Sequence, residues 1–171
     1  MKRSAFIAGT VLSMILLAGC TGTPEERLAE GLSETRTVFE EEPPETNETA
    51  GETELYLPGG YDIEEPTDEN NVIITQGSDS FVLFINPNEA PDSKFFYDLQ
   101  KANEEQEWAA DETFEQNGRF GFSTLRAIAD DRFEVVVSAG GVKMTTISEQ
   151  SDVPENMEWM MKTVRSIEEG N

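Results

Sequence analysis

Four short turn sequences constrain most of what this chain can become. Gly77-Ser78-Asp79, Asn117-Gly118, Asp130-Asp131 and Ala139-Gly140-Gly141 each separate runs rich in β-branched and aromatic residues. Asn-Gly between such runs is the strongest short-range hairpin signal, because a two-residue loop needs positive φ at both positions. Connections this short join antiparallel neighbours. The runs they join are 71–76 with 80–85, 113–116 with 120–127, and 133–138 with 142–147, and each pair predicts a hairpin. Earlier, 54–57 and 61–63 flank Pro58-Gly59-Gly60 and predict two short strands around a turn.

Two segments change period from two to 3.6. After Asn86-Pro87-Asn88-Glu89-Ala90-Pro91 breaks the chain, Asp92 or Ser93 caps a helix over 92–103, with Phe95, Phe96, Leu99 and Ala102 as its apolar stripe. A last helix begins near Asp152 or Pro154 and runs to 168. Its stripe of Met157, Met160, Met161, Val164 and Ile167 reads as core, not as an adaptable binding groove. Trp108 and Trp159 are expected half-buried at the domain edge. The fold class is therefore α+β: a mostly antiparallel sheet with two packed helices, at about 92–103 and 154–168, in one domain spanning 55–171.

Charge narrows function. Asp and Glu number 35 against 12 Lys and Arg, a net charge of −23. Nucleic-acid partners require a cationic surface and are excluded, as is lying flat on anionic headgroups. The acidic excess runs through residues 20–54, whose Glu, Thr, Pro and Gly content has the signature of a disordered linker. A flexible chain of that length spans ~30–35 Å. Its one local exception is Thr23-Pro24-Glu25-Glu26, with capping-box spacing, followed by Leu28 and Leu32; Gly31 weakens that helix.

The sequence contains no histidine, which removes Ser–His–Asp triads, histidine bases and His-containing zinc sites. No phosphate loop, G-x-S-x-G elbow or G-x-G-x-x-G is present, and no cofactor is expected. Carboxylates remain, so a small carboxylate-dependent cell-wall or glycan hydrolase is the catalytic alternative. Asp62, Glu64, Glu65, Asp68 and Glu69, with Asn70 and Asn71, offer oxygen ligands for weak calcium binding, without the spacing of an EF-hand loop. The candidate recognition surface is the proline-rich crossing at Asn86, Pro87, Asn88 and Glu89, since loops of this kind carry function.

The N-terminus supplies an address. Lys2 and Arg3 precede an apolar stretch over 5–18, too short to span a bilayer, which ends at Leu17-Ala18-Gly19-Cys20. This run resembles the lipobox of bacterial lipoproteins. The resemblance implies cleavage between Gly19 and Cys20, with 1–19 removed as signal peptide. It also implies an S-diacylglyceryl group on Cys20, and a new N-terminus open to acylation with a chain such as palmitate. Two chains anchor stably where one does not. The chain would then sit on the outer face of the cytoplasmic membrane, with residues 20–54 as tether. Cys20 is the sole cysteine, so no disulfide forms within the chain.

Residues 55–168 resemble PsbP/Mog1-like domains in the opening Leu57-Pro58-Gly59-Gly60-Tyr61, the hairpin over 133–147, and the closing helix over 155–168 with its Ser166-Ile167 end. Those domains are helix-covered antiparallel sheets that act as assembly or binding modules. The expectation is a membrane-anchored, non-catalytic module with an unknown protein or envelope partner.

Overall fold

A computed structural model describes residues 23–64, 70–102 and 106–168. The fold is α+β. Helix α1 (Pro24–Glu40) precedes a small hairpin of β1 (Glu48–Ala50) and β2 (Thr53–Leu55). Strands β3 (Asp62–Ile63), β4 (Asn71–Gln76) and β5 (Asp79–Ile85) lead to helix α2 (Phe95–Lys101). A meander of β6 (Ala110–Gln116), β7 (Arg119–Ala129), β8 (Arg132–Ala139) and β9 (Val142–Glu149) follows, then a 3-10 turn (Gln150–Asp152) and α3 (Val153–Glu168). One antiparallel sheet has the order β3-β4-β5-β9-β8-β7-β6.

The three hairpins expected from turn chemistry are present. Asn117 and Gly118 take φ of 52° and 76°, as a primed two-residue turn demands. The strands around Pro58-Gly59-Gly60 do not pair with each other: β2 pairs with β1, and β3 with β4. Asn47 closes the first hairpin instead. Its amide donates to Leu57 O at 2.9 Å and accepts from Leu57 N at 2.8 Å.

Alternation along the strands builds the core on one face. Val72, Ile74, Phe81, Leu83, Leu125, Val135, Val137 and Met144 are buried against α1 and α3. The methionine stripe of α3 is buried as expected, with Met157, Met160, Met161 and Val164 fully enclosed.

Residues 23–54 depart from the expected disordered linker. Thr23 caps α1 with a complete capping box: Glu26 N donates to Thr23 Oγ1 at 3.3 Å, and Thr23 N donates to Glu26 Oε2 at 2.7 Å. Phe39 and Val38 are buried. Gly31 is where the helices meet, since a Cβ there would lie 2.8 Å from Met157 Sδ. At the far end the Arg165 guanidinium lies over the Phe39 ring, 5.3 Å from its centroid, and donates to Glu41 O at 3.3 Å. The packed body therefore reaches back to α1. Composition signalled disorder because the glutamates face solvent, while packing on α3 supplies what a lone short helix lacks.

Helix α2 is shorter than the expected 92–103. It starts at Phe95 with Lys94 at the cap position and no cap bond from the Lys94 side chain; the expected capping residue Ser93 accepts from Phe95 N at 3.2 Å through its Oγ. Of its predicted stripe, Phe96 is buried while Phe95 and Leu99 are exposed. Residue 103 lies outside the described residues.

Candidate functional site

The 86–91 crossing is a shaped loop. Asn86 N donates to Gly141 O at 2.8 Å, and Phe120 N donates to Pro91 O at 3.0 Å, so both ends of the loop are tied to the sheet. Inside it, Asn88 N donates to Asn86 Oδ1 at 3.1 Å, and Glu89 N to Asn86 O at 3.2 Å. Asn86 thus folds the loop on itself, an Asx-type local hydrogen bond. Ser93 Oγ donates to Glu89 Oε2. Gly141 permits the close approach, because a Cβ there would collide with Asn86 O. Pro87 and Asn88 are exposed at the tip, with Asn86 and Glu89 half-buried.

Beneath the loop lies a cavity of about 200 Å³ with Val142 and Ile167 in its wall. Ile85 and Ile167 also wall a wider cleft of about 600 Å³, closed on its far side by Pro43, Pro44 and the β1–β2 hairpin. Glu45, Glu52 and Glu54 line that cleft. Ser166 at its base is engaged, accepting from Tyr56 N at 2.8 Å and donating to Thr163 O at 2.7 Å. The four predicted loop residues therefore form one end of the body, beside the C-terminal turn of α3. The partners not expected from sequence are the hairpin and the 43–46 connection, whose composition is that of a linker. The signal for them was the β-promoting Thr49 before Gly51 and Thr53 and Leu55 after it.

Other candidates resolve differently. Trp159 is buried between Tyr61 and Phe81, with ring centroids at 4.5 and 4.6 Å, and its indole donates to Asn156 Oδ1 at 3.1 Å. It is a core residue, not an edge anchor. Trp108 is half-buried, with Lys101 Nζ 5.2 Å from its ring centroid. Of the acidic calcium candidates, Glu65, Asp68 and Glu69 lie outside the described residues, as do Gly19 and Cys20. Among the described residues no three Cys, Asp or Glu side chains are gathered around one point. Asp131 and Glu149 share a cavity of about 320 Å³ with Arg27. Both are exposed on the surface.

The sheet's second face carries a smaller cluster. Phe96 of α2 packs on Phe84, Phe120, Phe122 and Val136, and Lys143 Nζ lies 5.4 Å from the Phe96 ring centroid. Burial pushes the Lys143 ammonium below its ordinary value, against the raising influence of Glu134. Val82 and Ile147 on this face remain exposed. The unbroken apolar run Phe81-Val82-Leu83-Phe84-Ile85 held that signal, since a strand apolar on both sides needs two covers.

No family model matches the chain, and no curated protein matches it. A solution structure of cyanobacterial PsbP (CyanoP) from Synechocystis sp. PCC 6803 is similar with a TM-score of 0.42 and 11% identity, over 67% of this chain and 84% of that one.

Proposed function

We propose that this chain is a lipid-anchored binding or assembly module on the outer face of the cytoplasmic membrane, acting without catalysis. It presents the 86–91 end of its body to a protein or envelope partner. The anchor rests on Leu17-Ala18-Gly19-Cys20, and the lack of catalysis on a sequence without histidine whose one thiol the anchor consumes.

The polarity of the body carries the rest. The N-cap Thr23 is three residues beyond Cys20, a reach of at most ~11 Å at about 3.6 Å per residue. Helices α1 and α3 both begin at one end, where Arg27 Nη1 donates to Ser151 O at 3.3 Å. Both finish at the other, beside the 86–91 loop. The eight residues of β8 span ~26 Å at about 3.3 Å each. With Cys20 acylated, the start of α1 sits at the headgroups and the loop stands about one strand length away. A rigid body thus takes over the spacing that a flexible linker would have supplied.

In membranes from cells making the acylated chain, a photo-crosslinking residue at Asn88 should yield a discrete protein adduct, and one at Glu25 should yield lipid adducts. Mass spectrometry should find diacylglyceryl on Cys20. An unmodified Cys20, or lipid adducts from position 88, would overturn the reading.

A further inference from the structure

Five large apolar side chains are exposed among the described residues: Val82 43%, Phe95 48%, Leu99 59%, Ile128 41% and Ile147 48%. Scattered singly, such residues need no explanation. Four of these five share one side of the molecule, and Ile128 stands apart at the β7 bulge. Val82 and Ile147 project from the sheet face opposite α1 and α3. Phe95 and Leu99 belong to α2, the only helix on that face among the described residues.

The register shows how they gather. Ile73 pairs with Val82, and Val82 with Thr145, so these three form a row across β4, β5 and β9. Ile147 is the next residue along β9 on the same face. Helix α2 covers only the neighbouring half. Tyr97 turns toward Phe120 and Phe122, and Phe96 meets Phe84. At 100° per residue, Phe95 and Leu99 fall on the side of Phe96 away from Tyr97. That is the side toward Phe84 of β5, so the two flank, as a wall, the floor made by Ile73, Val82 and Ile147.

Charge around this groove is uneven. Along its β3 margin, Asp62 pairs with Thr75 on the same face, and Glu64 is fixed by its backbone N–H to Ile73 O at 2.8 Å. Both carboxylates are exposed. On the opposite margin, Glu134 accepts from Arg126 Nε at 3.0 Å and is neutralised. The groove thus offers apolar floor and wall with negative charge along one edge, in a chain of net charge −23. That balance repels a second copy and an anionic bilayer, and attracts cations.

We propose that this face is a docking surface for a cationic amphipathic segment of a partner protein, its apolar stripe on Ile73, Val82 and Ile147 and its cations toward Asp62 and Glu64. Helix-in-groove recognition of this kind is read by anchors at i, i+3 or i+4, and i+7. The surface is distinct from the 86–91 end and does not depend on the anchor.

The test uses the full chain carrying Cys20→Ser, held through a C-terminal tag so that acylation plays no part. The probe is an 18-residue Leu/Lys amphipathic helix, with a Leu/Glu helix of the same pattern as control. The Leu/Lys helix is expected to bind and the Leu/Glu helix not to. Val82→Thr with Ile147→Thr, which leaves charge and strand propensity in place, should weaken binding about tenfold or more at physiological salt. Leu99→Gln on α2 should weaken it independently, and melting temperatures should stay within a few degrees. No binding, or equal binding by the substituted proteins, would overturn the proposal, the latter showing only attraction to the acidic surface at large. A dimer in sedimentation that these substitutions disperse would also overturn it, and would assign the face to a second copy.

Discussion

Tyr61 lies against Phe81 and Trp159, with ring centroids at 5.8 and 4.5 Å. Burial pushes its phenol up to about 12, and the negative charges of Glu155, Asp79 and Asp152 add to the shift. An unfolded tyrosine titrates near 10. Below about pH 10 the folded and unfolded chains both hold the proton, and this group leaves stability unchanged. Between about 10 and 12 the unfolded chain releases a proton that the folded one keeps, so stability falls as pH rises. Tyr61→Phe should flatten that fall, measured as the urea midpoint at pH 9, 10, 11 and 12. Lys94 and Lys101, held above their ordinary values by hydrogen bonds to Glu115 and Asp111, lose their share as pH rises in both proteins alike and cancel. An identical slope in the two proteins would show that Tyr61 does not carry this dependence. The methionine stripe was legible in the sequence because its partners recur along one helix face. The Tyr61–Trp159 contact was not, because its members come from a loop and a helix nearly a hundred residues apart.

Hairpins were the most legible elements, since each is specified by residues that touch in sequence. Asn117-Gly118 and Ala139-Gly140-Gly141 name both the turn and the pairing of their flanks. Helix α1 shows the opposite case. Thr23 and Glu26 marked its start, yet the surrounding glutamates hid its apolar side, Leu28, Leu32, Val38 and Phe39, which counts only once α3 is beside it. The same distance effect hid the candidate site, whose loop was readable at 86–89 while the hairpin opposite it was not. If α1 belongs to the packed body, Phe39→Ala should lower stability by about 3–5 kcal/mol, as for other buried aromatic truncations. Chemical denaturation would read this as a lower midpoint at unchanged slope. A tether residue would give no measurable change, so a near-zero effect would restore the linker reading. The ring contacts support the larger figure: Phe39 meets Phe114 at 5.4 Å between centroids and carries the Arg165 guanidinium above it.

Charge acts on the molecule as a whole, and here two effects of salt oppose each other. Ion pairs such as Lys101–Asp111 at 2.6 Å, Lys94–Glu115 at 2.7 Å and Lys162–Glu158 at 2.6 Å are weakened by added salt. Each is solvent-facing, so each contributes little to stability. The surplus of carboxylates acts in the other direction. With 35 acidic side chains against 12 basic, most carboxylates have no cation to meet, and the folded state crowds them more closely than the unfolded chain does. Screening relieves that repulsion over the whole surface, since the Debye length falls from about 30 Å at 0.01 M to about 3 Å at 1 M. The surplus therefore outweighs the few pairs. Raising sodium chloride across that range at pH 7 should increase the melting temperature by several degrees, where about 1 kcal/mol corresponds to roughly 2–4 °C for a chain of this size. Repeating the series near pH 4, where many carboxylates are protonated, should shrink the increase, because there is less charge to screen. A melting temperature that falls with salt at pH 7 would mean that the ion pairs dominate. A rise of equal size at both pH values would mean that salt acts through apolar burial instead, and the net charge would then have no part in the stability of the fold.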